Sequence, residues 1–182
     1  ARWLAVPTEA LRDQIAGKFE TLGVLQSQGC LGAEIEYPAV LRLEHIPKTV
    51  EQVDNLFMRA NVIVTTMSIA GRAEASIQER MAQLCGALFI DEAHHVSAKT
   101  WREFRACFMQ AAGPKPVYQF TATPFREDGG KVDGKFIYYY PLKKAQDEGY
   151  FGTVRFDAVS DLEADEADDE ILSRLAEKLN AD

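Results

Sequence analysis

The chain has no apolar run approaching the 18 or so residues that cross a bilayer, and no signal-type segment precedes its first strand pattern. Cysteine is scarce: Cys30, Cys85 and Cys107 are an odd, widely spaced set with no C-x-x-C. That argues against a disulfide framework and a zinc site, and it suits a reducing, cytoplasmic compartment. Cys85 and Cys107 sit in apolar settings and read as core residues. Basic residues are also in deficit, with a net charge of −8, which looks wrong for a protein that grips nucleic acid. However, Asp161 to Glu170 alone holds seven acids and no base, so almost all of the imbalance is local. A nucleic-acid track elsewhere is therefore not excluded, although the balance argues against tight, purely electrostatic binding by this piece alone. What remains is ordinary for a globular chain: 182 residues, 47% hydrophobic and 26% charged, enough for one domain with a real core.

The most informative stretch is Ala87-Leu88-Phe89-Ile90-Asp91-Glu92-Ala93-His94-His95. Four apolar residues running straight into charge read as a strand buried on both faces. Asp91 and Glu92 then lie at its C-terminal end, where open α/β sheets place their ligand crevice. A carboxylate there suits Mg²⁺, which takes one or two carboxylates together with substrate phosphates. Its neighbour is placed to orient or deprotonate a water. The competing account is an acidic pair that only caps the following helix.

A second stretch, Val117-Tyr118-Gln119-Phe120-Thr121-Ala122-Thr123-Pro124-Phe125-Arg126, is another strand ending in two hydroxyls and a proline. Between them lies a helix pattern, with Ser97 as candidate N-cap, Trp101, Phe104 and Phe108 on one face, and Gly113-Pro114 as stop. Strand, helix, strand with short links predicts parallel neighbours. Acid pair and hydroxyl pair should then emerge side by side.

These residues carry a resemblance. Asp91-Glu92-Ala93-His94 resembles the Walker B element, motif II, of DEAH-type superfamily 2 helicases, and Thr121-Ala122-Thr123-Pro124 resembles their motif III. The longer run to Gly129 is similar to the branch holding restriction-enzyme motor subunits and DNA-repair helicases. Leu4-Ala5-Val6-Pro7-Thr8-Glu9-Ala10-Leu11-Arg12-Asp13-Gln14 resembles motif Ia, and Val62-Ile63-Val64-Thr65-Thr66-Met67-Ser68-Ile69 resembles motif Ib. Four motifs in order over most of residues 3 to 129 are far more specific than any one of them.

The resemblance implies an α/β fold: a RecA-like three-layer sandwich with a mostly parallel sheet. It implies an ATP-hydrolysing DNA helicase or translocase that uses ATP and Mg²⁺. Asp91 would coordinate the metal, and Glu92 would activate the attacking water. His94, Thr121 and Thr123 would link the γ-phosphate to the nucleic-acid grip, while Pro7, Thr8, Thr65 and Thr66 would contact the nucleic acid. For Thr8 a plain N-cap, and for the Thr65-Thr66 pair a plain strand end, are the competing accounts. The partners implied are DNA rather than RNA, a second RecA-like domain of the same parent, and no membrane.

One departure is large. Motors of this kind need a G-x-x-x-x-G-K-[ST] phosphate loop, and no such sequence occurs here. The chain opens at Ala1 with Trp3 already inside the motif Ia strand. The expectation is a piece of a larger protein whose first strand and phosphate loop are missing, and which is not a competent ATPase alone. A restriction-type nuclease complex as parent, and a non-catalytic binding module, are the alternatives.

Elsewhere the readings are coarser. Residues 2–6 predict a strand, and Thr8 caps a helix bearing Leu11, Ile15, Phe19 and Leu22, closed by Gly23. Further strands are expected at 39–43 and 62–64, and helices from Thr49 and over 72–84. Phe136 to Tyr140 is strongly β-forming; alternation there predicts a core-plus-surface strand rather than a base-stacking platform. A short helix within 140–150 and a strand at 153–156 complete a domain spanning 1–156. Residues 157–182 read as an acidic linker and a short amphipathic helix carrying Ile171, Leu172, Leu175 and Leu179.

Overall fold

The computed structural model describes residues 1–32, 34–94, 99–111, 113, 115–123, 132, 134–152, 171–172 and 174. Two compact units divide after Gly134. In the first, five strands make one sheet: β1 (Arg2–Val6), β2 (Val40–Leu43), β3 (Val62–Thr66), β4 (Ala87–Ile90) and β5 (Val117–Gln119). Their order is β2-β3-β1-β4-β5, and every pairing is parallel. β1 is the centre, with Trp3 opposite both Ile63 and Leu88.

Period-two alternation sends the strand residues into two cores. Trp3, Ala5, Ile63, Leu88 and Ile90 join Val53 and Phe57 of α3 (Val50–Phe57), Ile77 and Met81 of α5 (Ala75–Leu84), and Phe104 and Phe108 of α6 (Lys99–Gln110). Val6, Val62 and Val64 face the other way, against Ala16, Leu11, Ile15 and Phe19 of α1 (Glu9–Thr21). Helices on both faces of a parallel sheet make three layers, the architecture expected when every strand is apolar on both sides. The first core is centred on Trp3, whose ring meets those of Phe104, Phe57 and Phe108 edge-on at 5.0, 5.7 and 6.4 Å. Truncating a buried aromatic of this kind costs about 3–5 kcal/mol.

Threonine starts three of the helices. Thr8 Oγ1 accepts from Leu11 N at 3.3 Å and Thr49 Oγ1 from Gln52 N at 3.1 Å. Thr66 Oγ1 accepts from Ile69 N at 3.4 Å and so starts α4 (Met67–Arg72). Each satisfies an amide that the first helical turn leaves without a partner. Three boundaries differ from the sequence reading. The left-handed residue closing α1 is Leu22 (φ 49°), not Gly23, which already begins α2 (Gly23–Ser27). The predicted helix over 72–84 is two helices, α4 and α5, with Ala73 and Glu74 extended between them. β3 also runs on through Thr65 and Thr66 instead of ending at Val64.

In the second unit the described residues form the short helix α7 (Leu142–Asp147), closed by Gly149 at φ 79° with Tyr150 N donating to Ala145 O, and Ile171, Leu172 and Arg174 are also helical. Phe136 to Tyr140 is not a strand, and Phe136 to Tyr139 are all exposed. The β propensity of such residues is really a measure of packing against neighbouring strands. No strand pairs with this segment among the described residues. Ser97, the expected strand at 153–156, the acidic linker, Leu175 and Leu179 lie outside the described residues.

Candidate functional site

β4 delivers Asp91 to the C-terminal edge of the sheet, its amide still in the ladder as a donor to Ala5 O at 3.0 Å. There the chain turns sharply. Glu92 has φ 49°, a left-handed conformation that a non-glycine residue adopts at a cost of about 1–2 kcal/mol. Asp91 Oδ1 accepts from the Glu92 amide at 3.0 Å and so braces the turn. Ala93, buried, then donates its amide to Phe120 O at 2.9 Å, while Phe120 N donates to Ile90 O at 2.9 Å. These two backbone bonds lock the end of β4 to the end of β5. The side chains follow the backbone.

His94 Nδ1 lies 2.9 Å from Thr121 Oγ1 and 3.3 Å from Glu92 Oε2. Thr121 Oγ1 in turn donates to Thr123 O at 2.9 Å and accepts from Thr123 N at 3.1 Å. The acid pair and the hydroxyl turn, 30 residues apart in sequence, thus form one hydrogen-bonded unit, as the strand-helix-strand pattern predicts. Thr123 takes part through its main chain.

Asp91 and Glu92 are half-buried, and the Glu92 side chain is 40% exposed. Asp91 also lines a cavity of about 330 Å³ with Leu4, Val6, Ile15, Phe19, Phe89 and Phe120, and is the sole polar residue in that lining. Among the described residues no group of three or more His, Cys, Asp or Glu forms a cage for a metal. The donor set therefore fits a cation that shares its coordination with substrate phosphates and water, as Mg²⁺ does, and does not fit one held by protein alone.

The other expected residues are placed as follows. Pro7 and Thr8 sit at the C-terminal end of β1, and Thr8 is exposed while capping α1. Thr65 and Thr66 are buried. Thr65 donates to Thr66 O at 3.3 Å, and Thr66 caps α4. All four lie on the same sheet edge as Asp91, because every strand is parallel. The backbone of Phe120 is a member of the site that side-chain reasoning passed over. Its only signal in the sequence is its position directly before Thr121.

An all-parallel α/β sheet carrying a carboxylate pair and a hydroxyl turn on adjacent strand ends belongs to the class of open α/β domains, whose ligand crevice lies at that edge. The chain belongs to the type III restriction enzyme, res subunit family, whose model matches residues 4–126. That family is a superfamily 2 helicase-like ATPase domain, and the match runs from within β1 through β5. A comparison with curated proteins found no match. Among the described residues no helix is long and apolar enough to cross a membrane.

Proposed function

We propose that this chain is part of the ATP-hydrolysing motor domain of a protein that moves on or unwinds DNA. The observation that supports it best is the His94–Thr121 contact at 2.9 Å, which ties the acid pair to the turn of the neighbouring strand. Asp91, at the C-terminal end of β4, would hold Mg²⁺ together with the phosphates of ATP. Bound there, the metal would supply charge neutralisation. Phosphoryl transfer needs that and alignment more than covalent chemistry.

Glu92 orients the attacking water and accepts its proton as the oxygen bonds to the γ-phosphorus. The bond from that phosphorus to the β–γ bridging oxygen breaks, leaving ADP and phosphate. His94, Thr121 and the main chain of Thr123 carry the change at Glu92 to the neighbouring strand end. Pro7 and Thr8 are the proposed contact with the nucleic-acid backbone, since a hydroxyl and helix-start amides suit a phosphate. Thr65 and Thr66 would serve the same track by fixing the backbone at the end of β3. No G-x-x-x-x-G-K-[ST] loop occurs in the 182 residues. In this reading the phosphate cradle and a second RecA-like domain come from elsewhere in the parent, and the chain alone hydrolyses little. The family's description favours a restriction-type complex as that parent.

Calorimetric titration with Mg²⁺ and a non-hydrolysable ATP analogue tests the site. Weak, Mg²⁺-dependent binding that Asp91→Asn removes is the expected result. Binding indifferent to Mg²⁺ or to that substitution would overturn the assignment.

A further inference from the structure

Three hydrogen bonds meet at Thr121 Oγ1, and a hydroxyl has only one hydrogen to give. That hydrogen goes to Thr123 O at 2.9 Å, because a carbonyl oxygen can only accept. The Thr123 amide, which can only donate, fills one lone pair of Oγ1 at 3.1 Å. The contact with His94 Nδ1 at 2.9 Å must then be made by a hydrogen on the imidazole. The second neighbour of Nδ1 points the same way. Glu92 Oε2 at 3.3 Å belongs to a carboxylate, an acceptor, and it would face a lone pair if Nδ1 were unprotonated. Two independent neighbours therefore call for a hydrogen on Nδ1.

We propose that His94 is held as an Nδ1–H donor shared between Glu92 and Thr121, and that it is a positioning residue for Glu92 rather than a proton acceptor. Only one hydrogen serves both acceptors. A pull on His94 toward Thr121 loosens Glu92, and a pull toward Glu92 loosens the 121–123 turn. This inference rests on the proposed role of Glu92 for its meaning, but the protonation it asserts is independent of any nucleotide.

Long-range ¹H–¹⁵N correlation on the ¹⁵N-histidine-labelled chain reads the protonation of each ring nitrogen directly. The resonances of His94 are identified by their loss in His94→Asn, leaving those of His45 and His95. The expected result is a pyrrole-type Nδ1 and a pyridine-type Nε2. Thr121→Ser and Thr123→Ala are expected to keep that pattern, the first retaining the acceptor and the second the main-chain pair. The double change Thr121→Val with Glu92→Leu removes both acceptors and is expected to shift His94 toward the Nε2–H form that free imidazole prefers. An Nε2–H tautomer in the unsubstituted chain would overturn the proposal, as would an Nδ1–H form untouched by the double change. Neither result depends on ATP binding, so failure here is separable from failure of the proposed function.

Discussion

β3 and β4 flank the same central strand, run parallel to it and end on the same edge of the sheet, yet their ends are built in opposite ways. At β3, Thr65 and Thr66 are buried and spend their hydroxyls on the local backbone and on the start of α4. At β4, Asp91 and Glu92 stay half-exposed, Glu92 sits in a strained backbone conformation, and its side chain reaches across to His94. One end has closed its own bonds. The other carries strain and unspent carboxylate surface, the arrangement expected where a ligand completes the site.

The contrast has an energetic test. Thr66→Ala removes a cap from a buried helix start and should cost about 1 kcal/mol, within a range of roughly 0.5–2. Glu92→Gly should do the reverse. Glycine adopts φ 49° without a Cβ penalty, so urea unfolding should show a gain of up to about 1 kcal/mol, even though the proposed water-activating group is gone. Loss of stability at both ends would erase the distinction between a structural and a functional strand end.

A smaller effect concerns pH and the purely structural side of the sheet. The hydrogen bond from the Arg12 guanidinium holds the Asp13 carboxyl below its ordinary value, and Arg42 does the same to Glu20. The unfolded chain therefore binds protons at these sites before the folded chain does. The stability they contribute is present above the ordinary carboxylate range and is lost as pH falls through the lower folded values. Asp13→Asn should flatten part of the fall in urea midpoint between neutral and acid pH, by a small amount since these groups are exposed.

Much of this was legible in the sequence because the signals were regional. The apolar run 87–90 was long enough to name a buried strand. The helix pattern after it forced β4 and β5 to be parallel neighbours, and so Asp91 and Thr121 to share an edge. What the sequence hid depends on a single torsion or a missing neighbour. Nothing in the letters of Asp91-Glu92-Ala93 tells that Glu92 is left-handed; the turn is imposed by the bond from Ala93 N to Phe120 O. The fate of Thr65 and Thr66 turned on two residues of strand length, which periodicity cannot resolve. Phe136 to Tyr140 has the composition of a strand, but composition cannot supply a partner to pair with.

In the proposed function the ends of β4 and β5, and not the end of β3, receive the nucleotide. Backbone chemical-shift mapping of the ¹⁵N-labelled chain during titration with Mg²⁺ and a non-hydrolysable ATP analogue tests it most directly. Shifts concentrated at Asp91 to His94 and at Phe120 to Thr123, with Thr65 and Thr66 still, are the expected result. Shifts centred on Thr65 and Thr66, or spread with no preference for that edge, would contradict it.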